Sequence, residues 1–319
     1  MTPLAELLRD EIRREGPISF HRFMDAALYH PDFGYYRKPT SAPFGKHGDF
    51  FTAEQMQPVF GILIASVVRR LFHEMGSPAD FQVVELGAGR AEMAPALREF
   101  HYLPVETREA EFPGALRGVV FSNEFFDALP VHRAIKREGV VREMLVGRTE
   151  EAFIWVEGDR AAPELESWVE RYLPNLAEGQ PIEIGLEALA WMERIARSLQ
   201  EGYVLTIDYG YTSRELPRFP AGTLMSYRRH SAIEDVLRDP GGQDITAHVC
   251  FTALGEFGGQ VGLRTVRFEN LAQTLLSAGE EDQFAAALGG APERRGQLKT
   301  LLFGMGESFR TLLQRREQK

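Results

Sequence analysis

Phe81-Gln82-Val83-Val84-Glu85-Leu86-Gly87-Ala88-Gly89-Arg90-Ala91-Glu92-Met93 is the stretch on which the fold turns. Residues 82–86 suit a buried strand, and the apolar run stops at two glycines spaced by one residue. Gly87 and Gly89 let the backbone bend sharply and let a ligand approach with no Cβ in the way. Residues 91–100 then read as a helix opening on that turn, with first N–H groups that lack intrahelical acceptors. Strand, glycine turn and helix together predict a nucleotide-type pocket at the carboxyl end of a parallel strand.

G-x-G alone is a weak signal, and Glu92 stands where a dinucleotide fingerprint carries its third glycine. Glu85, two residues before Gly87, separates the readings. An acid there fits the E/D-x-G-x-G end of the first strand in S-adenosylmethionine (SAM) methyltransferases, close to the charged end of the cofactor. Dinucleotide enzymes usually keep that position apolar. A nucleotide site of another kind and a purely structural turn stay open at this point.

Upstream, Thr2 and Pro3 open a helix carrying Leu4, Leu7, Leu8 and Ile12, stopped at Gly16-Pro17. Ser19 caps a second, with Phe20, Phe23, Met24, Ala27 and Leu28 on one face and Pro31 at its end. Both are expected to cap the cofactor side of the sheet. Residues 35–57 show no period and are rich in Gly, Pro and Phe, which favours a functional loop. Pro58 opens a third helix, closed near Gly76.

Downstream, residues 102–106 read as a second strand with Glu106 at its end, a place where methyltransferases often hold the ribose hydroxyls. The next strand, 118–122, follows closely, whereas a parallel crossover needs about a dozen residues or more. Either a helix and a strand have been trimmed, or Glu106 lies off the second strand. Residues 118–122 run into Asn123-Glu124-Phe125-Phe126-Asp127. Residues 140–146 and 152–157 predict an inserted β-hairpin. A helix over 186–199 feeds a strand over 203–207 that ends in Asp208-Tyr209-Gly210-Tyr211. Residues 263–268 read as a late edge strand, and 271–288 and 297–316 as helical. The sum is an α/β fold with a doubly wound, mostly parallel sheet. Its expected parts are an N-terminal helical cap and active-site loop (1–78), a core (79–132 and 183–319) and an inserted hairpin region (133–182).

The chain has 319 residues, 44% hydrophobic and 26% charged, enough for one large core with appended elements. A net charge of −10 argues against a nonspecific nucleic-acid binder and favours cationic partners. Cys250 is the only cysteine, so neither an internal disulfide nor a thiolate zinc cluster can form. The histidines show no H-E-x-x-H or similar spacing, and no metal is expected. No signal peptide or bilayer-length apolar run is visible, so no membrane insertion is expected and the expected compartment is the cytoplasm.

Taken together, the ordered motifs resemble the MidA family of class I SAM-dependent methyltransferases. They are Gly48-Asp49-Phe50-Phe51-Thr52, Glu85-Leu86-Gly87-Ala88-Gly89-Arg90, the run from Asn123 through Leu129-Pro130-Val131-His132, Ile207-Asp208-Tyr209-Gly210-Tyr211, Gly222-Thr223-Leu224 with Tyr227-Arg228, and Gln243-Asp244-Ile245-Thr246-Ala247-His248-Val249. The resemblance runs from the first helix to the region of Met305-Gly306-Glu307. It implies SAM as cofactor, S-adenosylhomocysteine (SAH) as product and an arginine of a protein as acceptor. Its mitochondrial members act on a respiratory complex I subunit, which makes a subunit of that type a candidate substrate. Homo-oligomerisation is compatible with it. Cys250 stands where the family pattern leads one to expect an acid.

Arginine is cationic at neutral pH and cannot be deprotonated in advance. Carboxylates must therefore grip its guanidinium, orient one nitrogen and take the released proton. Glu124 and Asp127 are the first candidates; the rival roles are a contact to the SAM amino group for Glu124 and a helix cap for Asp127. Asp208 and Tyr209 either line the acceptor side or cap an element. Asp244 and His248 lie four residues apart, which on a helix puts them on one face, although Ile245-Thr246 could equally be extended; His248 is a candidate proton acceptor or a structural histidine. Gly48, Asp49, Thr52, Glu85, Gly87, Gly89, Glu106 and Asn123 are the candidate cofactor residues. Methylation of a small molecule or another side chain, and a non-catalytic assembly factor on the same scaffold, are the alternatives.

Overall fold

The computed structural model describes residues 2–37, 57–106, 111–228, 231–233 and 235–318. The chain divides into two compact units. One comprises Thr52–Phe126, Leu189–Gly210 and Ala253–Lys319; the other comprises Met1–Phe51, Asp127–Ala188 and Tyr211–Thr252. The helix Val59–Glu74 thus groups with the sheet unit, apart from the two helices before it, and the unit holding the hairpin is wider than 133–182.

Among the described residues the sheet unit contains six strands: β1 (Gln82–Leu86), β2 (His101–Val105), β3 (Leu116–Asn123), β4 (Leu199–Tyr211), β5 (Arg264–Asn270) and β6 (Phe309–Arg316). Their spatial order is β5-β6-β4-β3-β1-β2. β2, β1, β3 and β4 are parallel, while β6 runs antiparallel to both β4 and β5. This order answers the question posed by the short link after Glu106. β2 does lie beside β1, with Glu106 directly after it, and β3 lies on β1's other flank; among the described residues no further parallel strand pairs with the outer edge of β2. Val83, Val119, Phe121, Leu205 and Ile207 are completely or almost completely buried and pack with Phe60, Ile64 and Val68 of the helix Val59–Glu74. Gln82, Gly118 and Gly202 sit side by side in register on β1, β3 and β4, and a Cβ on either glycine would overlap the backbone of its neighbour.

Three expectations fail in this unit. Residues 91–100 form successive turns rather than a helix: Ala91 adopts a left-handed φ of 55°, and the bonds Ala91→Ala88, Ala94→Ala91 and Phe100→Leu97 close over three residues. The helix N-terminus expected to face the cofactor is therefore absent from that stretch. Residues 297–316 are not one helix either. A helix Pro292–Thr300 ends in a wide turn over Leu301–Met305, and Phe309–Arg316 is strand β6. Residues 309 and 311–314 are all buried, so both faces are covered and the period-two pattern that marks a half-exposed strand never appears. Likewise 271–288 breaks into Leu271–Gly279 and Ala285–Leu288, with Gln283 and Phe284 in left-handed backbone between them.

In the other unit the helices Pro3–Glu15 and Phe20–Tyr29 form as the sequence predicts, the N–H groups of Ala5 and Arg22 donating to the Thr2 and Ser19 hydroxyls. The expected hairpin is present as Val140–Arg148 paired with Phe153–Arg160. It belongs to a five-stranded sheet in which Ile18–Ser19, Val140–Arg148, His132–Arg137 and Pro181–Ile184 are successive neighbours. Phe20, Phe23, Met24, Leu4 and Leu8 pack with Val146 of that sheet and with Ile245. Asp244–Thr246 is a strand, which decides for the extended form of that segment.

Candidate functional site

In the sheet unit the candidate residues gather where the parallel strands end. Gly87 and Gly89 both hold left-handed φ, 68° and 54°, and the Gly87 N–H donates to the Val105 carbonyl, which fastens the turn to the end of β2. The Glu106 carboxylate accepts the Gly89 N–H, so the acid following β2 lies directly at the glycine turn. Glu85 is fully buried and takes the Tyr102 hydroxyl, a partner on β2.

The end of β3 is more unusual. Glu124 adopts a left-handed φ of 52°, a conformation that costs a non-glycine residue about 1–2 kcal/mol and persists only where the surroundings enforce it. Two bonds from β4 enforce it: the Glu124 N–H donates to the Ile207 carbonyl at 3.0 Å, and the Phe126 N–H donates to Asp208 Oδ2 at 3.0 Å. The other Asp208 oxygen accepts the Tyr209 N–H at 2.9 Å, and Asp208 is completely buried. These contacts give Asp208 a backbone-holding role at the candidate site. Asp208→Asn would turn an acceptor into a donor facing an N–H, and we expect it to cost roughly 2–3 kcal/mol, read as a lowered urea midpoint.

SAM fits this strand-end geometry on two counts. Asn123 donates through Nδ2 to Glu124 Oε1 at 3.1 Å, while its Oδ1 is buried with no hydrogen-bond partner among the described residues, an acceptor left for a ligand N–H or O–H. Gly87 favours a bare backbone: its φ is left-handed, and a Cβ there would lie 3.0 Å from Phe125 Cδ2, so that ring would have to give way. Phe125 in turn packs edge-on against Trp191, ring centroids 5.1 Å apart.

The remaining candidates belong to the other unit, where they join residues not singled out from the sequence. Asp127 and Asp244 are both buried. The Tyr36 hydroxyl donates to Asp244 Oδ1 at 2.8 Å, and burial, then the charges of Asp244 and Asp127, hold its phenol well above the ordinary range. Tyr36 is thus a neutral donor at any ordinary pH. The Ala247 N–H donates to the Asp127 carbonyl and the His248 N–H to Thr223 Oγ1 at 3.1 Å, so the segment 244–248 is held from two sides. Burial pushes the His248 imidazole below its usual pKa, which keeps it neutral and able to accept a proton. Glu183 is buried on the strand Pro181–Ile184 and accepts both the N–H and the hydroxyl of Thr223 at 2.8 Å. The only sequence hint of Tyr36 is the Gly34-Tyr35-Tyr36 run, and Glu183 carries none, because an acid in the short strand Pro181–Ile184 reads as solvent-facing. Gly48, Asp49 and Thr52 lie outside the described residues.

Burial raises the Glu183 pKa, outweighing the opposite pull of Arg133 and Thr223. A carboxyl with a raised folded pKa contributes stability that is complete below its unfolded pKa and is lost as pH rises through the folded value. Glu183→Gln cannot ionise, so its melting temperature relative to wild type should climb as pH goes from 4 to 8. Parallel thermal melts across that range check it.

A parallel sheet with a glycine turn after its first strand, an acid after its second and an Asn-Glu pair after the next defines a class I SAM-dependent methyltransferase. Comparison with known proteins agrees. Residues 97–269 match the model of the family described as "Putative S-adenosyl-L-methionine-dependent methyltransferase". A superfamily protein from Burkholderia thailandensis, solved bound to S-adenosyl-homocysteine, superposes with a TM-score of 0.84 at 28% identity, over 98% of this chain and 92% of that one. The mitochondrial protein arginine methyltransferase NDUFAF7 homolog of Drosophila melanogaster is 28% identical, the match covering 78% of this chain and 68% of the fly protein. Bovine NDUFAF7 is 27% identical over 80% and 68%. The chain belongs to this SAM-dependent methyltransferase family, and its relatives are those of the MidA group.

Proposed function

We propose that the enzyme methylates arginine in a protein substrate. The observation that carries the reading is the set of acids at the candidate residues: Glu124, strained and partly buried, and in the other unit Asp127 and Asp244, both buried. A cationic guanidinium calls for such carboxylates, and the fly and bovine relatives are named as arginine methyltransferases. The chain's net charge of −10 suits a basic segment as substrate.

When bound, SAM would supply an electrophilic methyl group, and Glu85, Gly87, Gly89, Glu106 and Asn123 would hold it, with Gly48, Asp49 and Thr52 as further candidate cofactor residues. The protein's own work is to hold the acceptor nitrogen in line, exclude water and receive one proton as the nitrogen becomes bonded to carbon. We assign the grip on the guanidinium to Glu124 and Asp127, and proton acceptance to His248. A respiratory complex I type subunit is the first substrate to test, with the cytoplasm as compartment. Among the described residues no helix is long and apolar enough to cross a membrane.

The test is methyl transfer from isotopically labelled SAM to the protein extract of a strain lacking this gene, followed by mass spectrometry. Methylarginine on a protein band is expected; label confined to small molecules, or to another side chain, would overturn the arginine reading. Isothermal titration should show SAH binding to the intact protein.

A further inference from the structure

Glu183 is a buried acid that the reaction as described does not use, and its surroundings are specific. It faces Arg133 across a β-ladder: the two are register partners on the strands His132–Arg137 and Pro181–Ile184, with Arg133 Nε 3.7 Å from Glu183 Oε1. Both residues reach the same turn. Arg133 Nη2 donates to the Ala221 carbonyl at 3.0 Å, with its guanidinium also lying over the Trp155 ring at 4.4 Å. Glu183 Oε2 takes the N–H and the hydroxyl of Thr223. Between them Gly222 has a φ of 83°, and a Cβ there would stand 2.6 Å from Glu183 Oε1, so the carboxylate lies hard against the turn.

The Thr223 hydroxyl has one proton, and it is spent on Glu183. Its oxygen therefore presents lone pairs to the main-chain N–H of His248, which fixes the backbone that carries the imidazole. Turning the hydroxyl round would lose both bonds, which makes the acid the group that decides which way Thr223 faces. Beyond it, the His248 ring meets Phe219 edge-on at 5.2 Å, and Phe219 packs on Tyr211, a phenol held high by burial, Cys250 and Glu183 itself.

We propose that Glu183, paired with Arg133, is the positioning residue of this methyltransferase that sets His248 through Thr223. The inference rests on the assignment of His248 as proton acceptor. Its consequence is that the rate and the acidic limb of the pH profile depend on a carboxyl that touches no reactant. With Thr223 turned away, His248 loses its fixed place and part of its enclosure, and its pKa moves back toward the ordinary imidazole value.

The experiment measures initial rates at saturating labelled SAM, from pH 5 to 9, with extract of the deletion strain as acceptor. The variants are Glu183→Ala, Glu183→Gln, Thr223→Val, Thr223→Ser and His248→Asn, each with SAH titrated alongside. Glu183→Ala and Thr223→Val should lose on the order of tenfold to a hundredfold in rate and shift the acidic limb upward, with SAH affinity unchanged. Glu183→Gln and Thr223→Ser keep the hydrogen bonds and should restore both rate and limb. Thr223→Val is close to isosteric and carries the test if Glu183→Ala does not fold. An unshifted limb with an unchanged rate in Thr223→Val overturns the positioning role. A fully active His248→Asn instead removes the role of His248 itself, and the inference with it, while leaving methyl transfer standing.

Discussion

Gly87→Val is expected to abolish useful SAH binding, lowering affinity by about a hundredfold or more, about 3 kcal/mol. The turn it occupies has φ of 68°, where a β-branched residue is strained, and its Cβ would press on Phe125 at 3.0 Å. Phe125 has little room to yield, since it is packed edge-on between Phe126 and Trp191. The added methyls must then point outward, over the ground a cofactor needs to approach the backbone. Isothermal titration of SAH against the variant is the measurement, with far-ultraviolet circular dichroism to show that the sheet persists. Wild-type affinity in the variant would mean that the cofactor does not approach this turn.

Glu124→Gln should behave in the opposite way: SAH affinity within a few-fold of wild type, and a methyl-transfer rate reduced on the order of a hundredfold to a thousandfold. Glutamine retains the acceptor for Asn123 Nδ2, so the strand end keeps its shape. What is lost is the negative charge that a guanidinium requires and the capacity to take a proton. A split of this kind, rate without affinity, marks an interaction made with the acceptor as it reacts. Equal loss of both would place Glu124 on the cofactor's amino group, the rival role that its position after β3 also allows.

Much of the fold was legible because local chemistry and tertiary context agree. The caps at Thr2 and Ser19, the strand into Gly87, the hairpin pair and the motif after Phe121 all read through from sequence to structure. The stretch after Gly89 misled because its alanines, Leu97 and Met93 have helical preferences, whereas left-handed Ala91 and the fastening of Gly87 to Val105 impose turns. Strand β6 was hidden for a different reason: burial on both faces removes alternation. Within the candidate site, the strand-end residues could be named from the glycines and acids alone. The work of Asp208 could not, because its value lies in which backbone N–H groups it reaches, and no spacing encodes that. The same holds for Tyr36, Thr223 and Glu183, which meet their partners across more than 20 residues of chain.

Among the described residues β2 ends the sheet order, with only one of its flanks laddered. Solvent deuterium should enter there sooner than into the enclosed β1 and β3. Because Glu106 leaves this same strand and grips Gly89, a molecule seated on the glycines would slow uptake along the rim before it altered the interior. Deuterium labelling with and without SAH thus becomes a gauge of occupancy that needs no knowledge of the acceptor.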